Sequence, residues 1–104
     1  MTGAPMIDHA MDGTRVRTKP DFYEAVAEVM SFPDWFGHNL DALYDCLTDL
    51  SWLPPGKHVL VWFRPDVLAD ADPAGYRAVQ GVLADAVADF TDPERGFSVV
   101  LIEP

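Results

Sequence analysis

The chain has 104 residues, of which 49% are apolar, 23% charged and 12% aromatic, enough for one compact core and too hydrophobic for a disordered chain. A formal net charge of -10 sets it against phosphate backbones and anionic lipid surfaces, so neither nucleic acid nor a membrane is expected as a ligand, and basic proteins are favoured. No apolar run is long enough to span a bilayer, the first residues (MTGAPMIDHAMDG) do not read as a secretory signal, and the single cysteine, Cys46, makes no internal disulfide; one domain in the cytoplasm is the expectation.

Residues 6–11 (MIDHAM) predict a first strand, closed by the turn pair Asp12-Gly13. Thr18-Lys19-Pro20-Asp21 has the form of a helix start, a capping hydroxyl followed by proline in the first turn and an acid three residues on. Phe22, Val26, Val29 and Met30 give that helix a buried side, and Pro33 stops it near Ser31. A second helix is predicted from Leu40 with Asn39 as its cap. Ser51 to Lys57, with Pro54, Pro55 and Gly56, reads as a loop. His58–Phe63 (HVLVWF) is a nearly continuous apolar run of strand length, the pattern of a strand covered on both faces. Pro65 to Pro73 reads as an irregular acidic connection. Gly75 to Phe90 is helical in period through Tyr76, Val79, Leu83, Ala86, Val87 and Phe90, and a last strand runs from Phe97 to Glu103. Strands alternating with helices predict a two-layer α/β domain with a small parallel sheet; strand order does not follow from the pattern.

The stretch Pro33 to Leu50 (PDWFGHNLDALYDCLTDL) holds the candidate functional residues. Between Lys19 and Lys57 there is no Lys or Arg but there are seven acids, and four of these, Asp34, Asp41, Asp45 and Asp49, lie in this stretch. At about 100° per residue, Leu40, Leu43, Leu47 and Leu50 share one side of the second helix, and Asp41, Tyr44, Asp45 and Thr48 share another. The leucines serve the core. Two carboxylates one turn apart usually mark a solvated helix side, and an aromatic pair such as Trp35-Phe36 usually staples a turn. Tyr44, however, projects between Asp41 and Asp45 away from the leucines, and aromatic and charged residues clustered on a rigid helix beside a flexible Gly37 match the composition of binding hot spots.

An enzyme using His38, Asp41 and Asp45 as metal ligands or as an acid/base set is disfavoured, since a second well-placed histidine and any zinc or hydrolase motif are missing. No cofactor is expected. Cys46 reads as a small buried residue, and His9 and His58, in or beside strands, as structural. The residues alone favour a docking face for a cationic partner.

Pro33, Gly37, Asn39, Leu40-Asp41-Ala42-Leu43, Asp45-Cys46-Leu47 and Thr48 reproduce the central signature of the barstar family, and the chain resembles that family over nearly its whole length, strongly in the middle and loosely at both ends. The resemblance implies a three-stranded parallel sheet covered by helices on one side. It also implies a non-enzymatic, intracellular inhibitor that binds a small basic microbial ribonuclease of the guanyl-specific, barnase-like type one to one and is a monomer when free. Asp45 then matches the aspartate that enters the ribonuclease's phosphate-binding pocket, and Asp41 a second aspartate on that face. Tyr44 stands where the family has tryptophan, Trp35-Phe36 where it has a tyrosine pair. Gly37, His38 and Asn39 fall in the binding loop and cap, Ala42 and Thr48 on the same helix, and Asp85 aligns with a further acidic contact late in the last long helix. The alternative is an acidic interaction module of the same fold whose basic partner is not a ribonuclease.

Overall fold

The computed structural model describes residues 5–104. Along them run β1 (Met6–Asp12), α1 (Lys19–Val29), α2 (Leu40–Asp49), β2 (Gly56–Phe63), α3 (Asp66–Ala71), α4 (Pro73–Asp89) and β3 (Arg95–Ile102). The strands form a parallel sheet in the order β1-β2-β3, with Met6 opposite Lys57 and Gly56 opposite Arg95. This is the α/β architecture that the alternation of patterns predicts.

Local chemistry sets most of the boundaries. Thr18 caps α1 by accepting from the Asp21 amide at 3.1 Å, while the Asp21 carboxylate accepts from the Arg17 amide, one residue earlier than a standard capping box would have it. α1 gives way at Met30, and Ser31 turns out at φ 55°. Gly13 is required by close approach: its amide donates to the Phe63 carbonyl at 2.8 Å, and a Cβ there would collide with that oxygen and with the Trp62 indole nitrogen.

Three expectations are corrected. Pro65 to Pro73 is not irregular, because it contains α3: Pro65 sits in the helical region as its N-cap, Leu68 is fully buried, and Asp72 ends α3 and caps α4 through the Gly75 amide at 3.0 Å. One anchoring leucine is too weak a period to be seen in the sequence, and of the acids that suggested a loop Asp66 pairs with Arg64, Asp72 caps α4 and only Asp70 lies exposed. The loop after α2 is also shorter than expected, since β2 already begins at Gly56, whose amide donates to the Glu94 carbonyl.

Nor is β2 covered by helices on both faces. The strand residues in the core cluster are Met11, Leu60, Trp62 and Phe97, which share one face of the sheet by register, together with Phe22, Val26, Leu43, Leu47, Leu50, Leu68, Val79, Leu83 and Ala86 of the helices. On the opposite face Phe63, Val100 and Ile102 are each about 40% exposed, and Val59 is buried yet lies outside that cluster. The apolar run in β2 comes from its position between two strands, which shields both parities in part.

His58, fully buried on the helix-covered face, is joined to His9 of β1: His9 Nε2 lies 2.8 Å from His58 Nδ1. The outer nitrogens of the pair meet main-chain carbonyls, His9 Nδ1 at Val29 (3.0 Å) and His58 Nε2 at Pro54 (2.8 Å). Both histidines are therefore structural. No helix among the described residues is long and apolar enough to cross a membrane.

Candidate functional site

α2 begins where the sequence places it. Asn39, in extended conformation, accepts from the Ala42 amide at 2.8 Å with its side-chain oxygen, and its amide nitrogen donates to the Gly37 carbonyl at 3.0 Å. One side chain thus fixes both the helix start and the loop before it. Asn39→Ala is expected to cost about 1 kcal/mol of stability, read from the urea midpoint at unchanged m-value. The helix ends at Leu50 in the left-handed conformation, with its side chain fully buried. Leu43, Cys46 and Leu47 are buried, which leaves Asp41 and Asp45 fully on the outside and Tyr44 and Thr48 at the margin. Burial first, and the neighbouring Asp45 and Asp49 second, push the Cys46 thiol up to about 11, so it is a protonated core atom.

The loop before α2 divides its aromatics. Trp35 is 66% exposed. Phe36 is buried, with its ring 4.9 Å from that of Phe32 and 6.2 Å from that of Tyr23, so it supports the loop from beneath. His38 lies over Phe36 with ring centroids 5.0 Å apart and holds a positive φ of 47°. That backbone conformation is uncommon outside glycine and turns the chain sharply into the cap. His38, Asn39 and Asp41 line an open cleft of about 590 Å³, whose other wall is Lys19, Pro20 and Tyr23 at the start of α1. Gly37 is exposed, and a Cβ there would press on the Asn39 amide at 3.1 Å.

α2 packs against α4, and the two helices together present the acids. The Tyr44 hydroxyl donates to the Asp89 carboxylate at 2.5 Å, and Asp85 and Asp45 both act on the same phenol. The tyrosine therefore bridges the acids of α2 to those of α4. Asp89 escapes the sequence reading, although its spacing of four from Asp85 on a helix would have put both on one side. Thr48 turns back on its own helix and donates to the Tyr44 and Asp45 carbonyls at 2.9 and 3.3 Å. Ala42 is partly buried beside the cap. Among the described residues the salt bridge is Arg64–Asp66, and Asp41, Asp45, Asp85 and Asp89 have no Lys or Arg partner there.

The Tyr44 phenol is held above its ordinary value, chiefly because its proton is shared with Asp89 and further because burial and the charges of Asp89, Asp85 and Asp45 oppose a phenolate. A raised folded-state value means that its contribution to stability is complete below about pH 10 and is lost as pH rises past the folded value. In Asp89→Asn the ionisation of Tyr44, followed by NMR of the ring carbon that bears the hydroxyl, is expected to move down, while that of Tyr23, raised by burial alone, stays in place.

Chemically this surface is an array of unneutralised carboxylates on rigid helices, flanked by an exposed indole and a shallow cleft, and among the described residues no group of three or more His, Cys, Asp or Glu is arranged to hold a metal ion. Such an array suits the capture of a cationic surface. In comparison with known proteins, a 44-residue segment is 39% identical to the protein named "Putative ribonuclease inhibitor YrdF" from Bacillus subtilis (strain 168); the match covers 42% of this chain and 48% of that protein, so the chain spans about half the length of the curated relative it matches. The model of the family described as Barstar (barnase inhibitor) matches residues 6–102, and the chain belongs to that family.

Proposed function

We propose that this protein is an intracellular, non-catalytic inhibitor of a small basic microbial ribonuclease of the guanyl-specific, barnase-like type, binding it one to one with the α2/α4 face over the active site. The observation that supports this reading is the set of four carboxylates, Asp41, Asp45, Asp85 and Asp89, which lie on two packed helices and have no cationic partner among the described residues. A ribonuclease active site is built to hold RNA phosphate among cations, and a preorganised carboxylate can take the phosphate's place. Asp45 is given that role, with Asp41 beside it. Trp35, Gly37, His38, Asn39, Ala42, Tyr44 and Thr48 form the surrounding contact, and Phe36 supports the loop from within. The net charge of -10 speeds encounter with a basic enzyme, most strongly at low salt.

Titration into a microbial guanyl-specific ribonuclease should abolish RNA cleavage near equimolar ratio. Absence of inhibition against every such enzyme, including one encoded by the same genome, would remove the reading. A second reading follows from the same acids, because carboxylates alone do not select a nuclease: the face would then hold a basic protein of another kind. With this chain as bait, recovery of a small basic nuclease supports the first reading, and recovery of only non-nuclease basic proteins supports the second.

A further inference from the structure

The hydrogen-bond chain through His9 and His58 has a proton count that the two rings cannot meet when both are neutral. Carbonyl oxygens only accept, so His9 Nδ1 facing the Val29 oxygen and His58 Nε2 facing the Pro54 oxygen must each carry a hydrogen. Two neutral rings have no proton left for the central contact between His9 Nε2 and His58 Nδ1 at 2.8 Å, where lone pair would meet lone pair. One additional proton, shared across that contact, completes three hydrogen bonds in line. A fourth would place two imidazolium ions within hydrogen-bond distance on a site where His58 is fully buried, and no geometry of the pair accommodates it.

The two carbonyls bracket the stretch described above. Val29 is the last residue of α1, Pro54 lies in the loop leaving α2, and between them runs the entire segment from Met30 to Leu53, including Trp35, the Asn39 cap and α2. Further bonds tie the same ends: the Trp52 indole donates to the Met30 carbonyl at 3.0 Å, and Arg95 donates to the Leu50 and Leu53 carbonyls at 2.9 and 2.8 Å. We infer that the His9–His58 pair is an acid-operated latch on the segment bearing the candidate binding face, closed by three ring protons and forced open by a fourth.

Charged groups around the pair do not supply a counter-ion for the fourth proton. Asp8, next to His9 on β1, favours protonation of His9, but burial and the neighbouring His58 oppose it, and burial is the largest influence, so His9 is held below its ordinary value. On the adjoining elements, Glu28 of α1 and Lys57 of β2 are exposed, and the Arg95 guanidinium of β3 is occupied by the Leu50 and Leu53 carbonyls. In the unfolded chain an imidazole takes its proton near pH 6.5, whereas in the folded chain His9 is held below that value, so the fourth ring proton enters only at lower pH. Stability is therefore greatest while three ring protons are held: it is lost as pH falls below about 6.5, by about tenfold in the folding equilibrium per pH unit for one withheld proton, and the central bond is lost in turn at alkaline pH when the shared proton leaves.

The latch concerns regulation of the proposed binding face and rests on that reading only in what it regulates, since its test reads the histidines and not a ribonuclease. Imidazole nitrogens of the ¹⁵N-labelled wild-type protein, followed by NMR from pH 8 to pH 4, should show the His9 ring reporting two linked steps more than about one pH unit apart. Two independent titrations without that separation would overturn the inference whether or not any variant folds. In His58→Gln the side-chain amide can still donate to Pro54 while its oxygen accepts from His9 Nε2, so no fourth ring proton remains to be withheld and the loss of stability with falling pH should be clearly shallower than in the wild type. An unchanged slope in that variant would also overturn it. Finally, amide hydrogen exchange at Gly37 and His38, corrected for intrinsic rate, should rise through the lower step in the wild type and not in His58→Gln. Equal behaviour of the two proteins there would sever the latch from the segment.

Discussion

Asp45→Ala is expected to weaken the complex with a guanyl-type ribonuclease by about a hundredfold or more, a larger loss than any other single change on α2. The barstar–barnase pair is itself one of the systems from which the size of such hot-spot losses is known, so the scale is carried over from that rule. The ranking comes from this structure. Asp45 is exposed at the centre of the face, one turn after Asp41 and beside the Tyr44–Asp89 bridge, and has no cation of its own within the described residues. Thr48, one turn further on, already spends its hydroxyl on its own helix. Thr48→Ala should accordingly change affinity by no more than a few fold. Calorimetric titration of both variants checks this, and equal losses would show that Asp45 is not the docked carboxylate.

Leu47→Ala, on the other side of the same helix, should fail in a different way. Leu47 is fully buried in the core cluster with Leu43, Leu50 and Leu60, and its truncation is expected to cost about 3 kcal/mol of stability from the lost burial and the cavity left behind. That is a large fraction of the stability of a domain this size. Affinity corrected for the folded fraction should stay at the wild-type value. Urea unfolding and binding measured side by side separate the two effects. A fall in corrected affinity comparable to that of Asp45→Ala would mean that the two sides of α2 are not independent.

What could be read from the sequence was what depends on near neighbours. Thr18 and Asn39 announce their helices because a cap acts on amides two or three residues away. The division of α2 into a leucine side and an acid side follows from the helical period alone. Strand order was not legible, because which strand lies in the middle depends on pairings such as Met6 with Lys57 that leave no local mark. α3 was hidden by its brevity and its acids, and the half-bare sheet by the apolar run of β2. Within the candidate site, Trp35 and Phe36 look alike in sequence, yet one is exposed and the other buried, since the turn between Pro33 and the cap decides which ring faces inward. Asp89 was missed for a related reason: its place beside Tyr44 depends on how α4 crosses α2, a matter of packing and not of spacing.

The arrangement of the sheet also fixes when the acidic face can exist. Every strand pairing joins distant parts of the chain, so no piece of the sheet closes before a long crossover has been made, and such closures are slow compared with helix formation. The first crossover, from β1 to β2, encloses α1, the loop of Trp35 and all of α2. Asp85 and Asp89 come later, on α4, after β2. During synthesis from the N-terminus, a chain grown only through Phe63 would hold Asp41 and Asp45 without the carboxylate that accepts the Tyr44 hydrogen bond. The face is assembled from two instalments of the chain, and the second completes it.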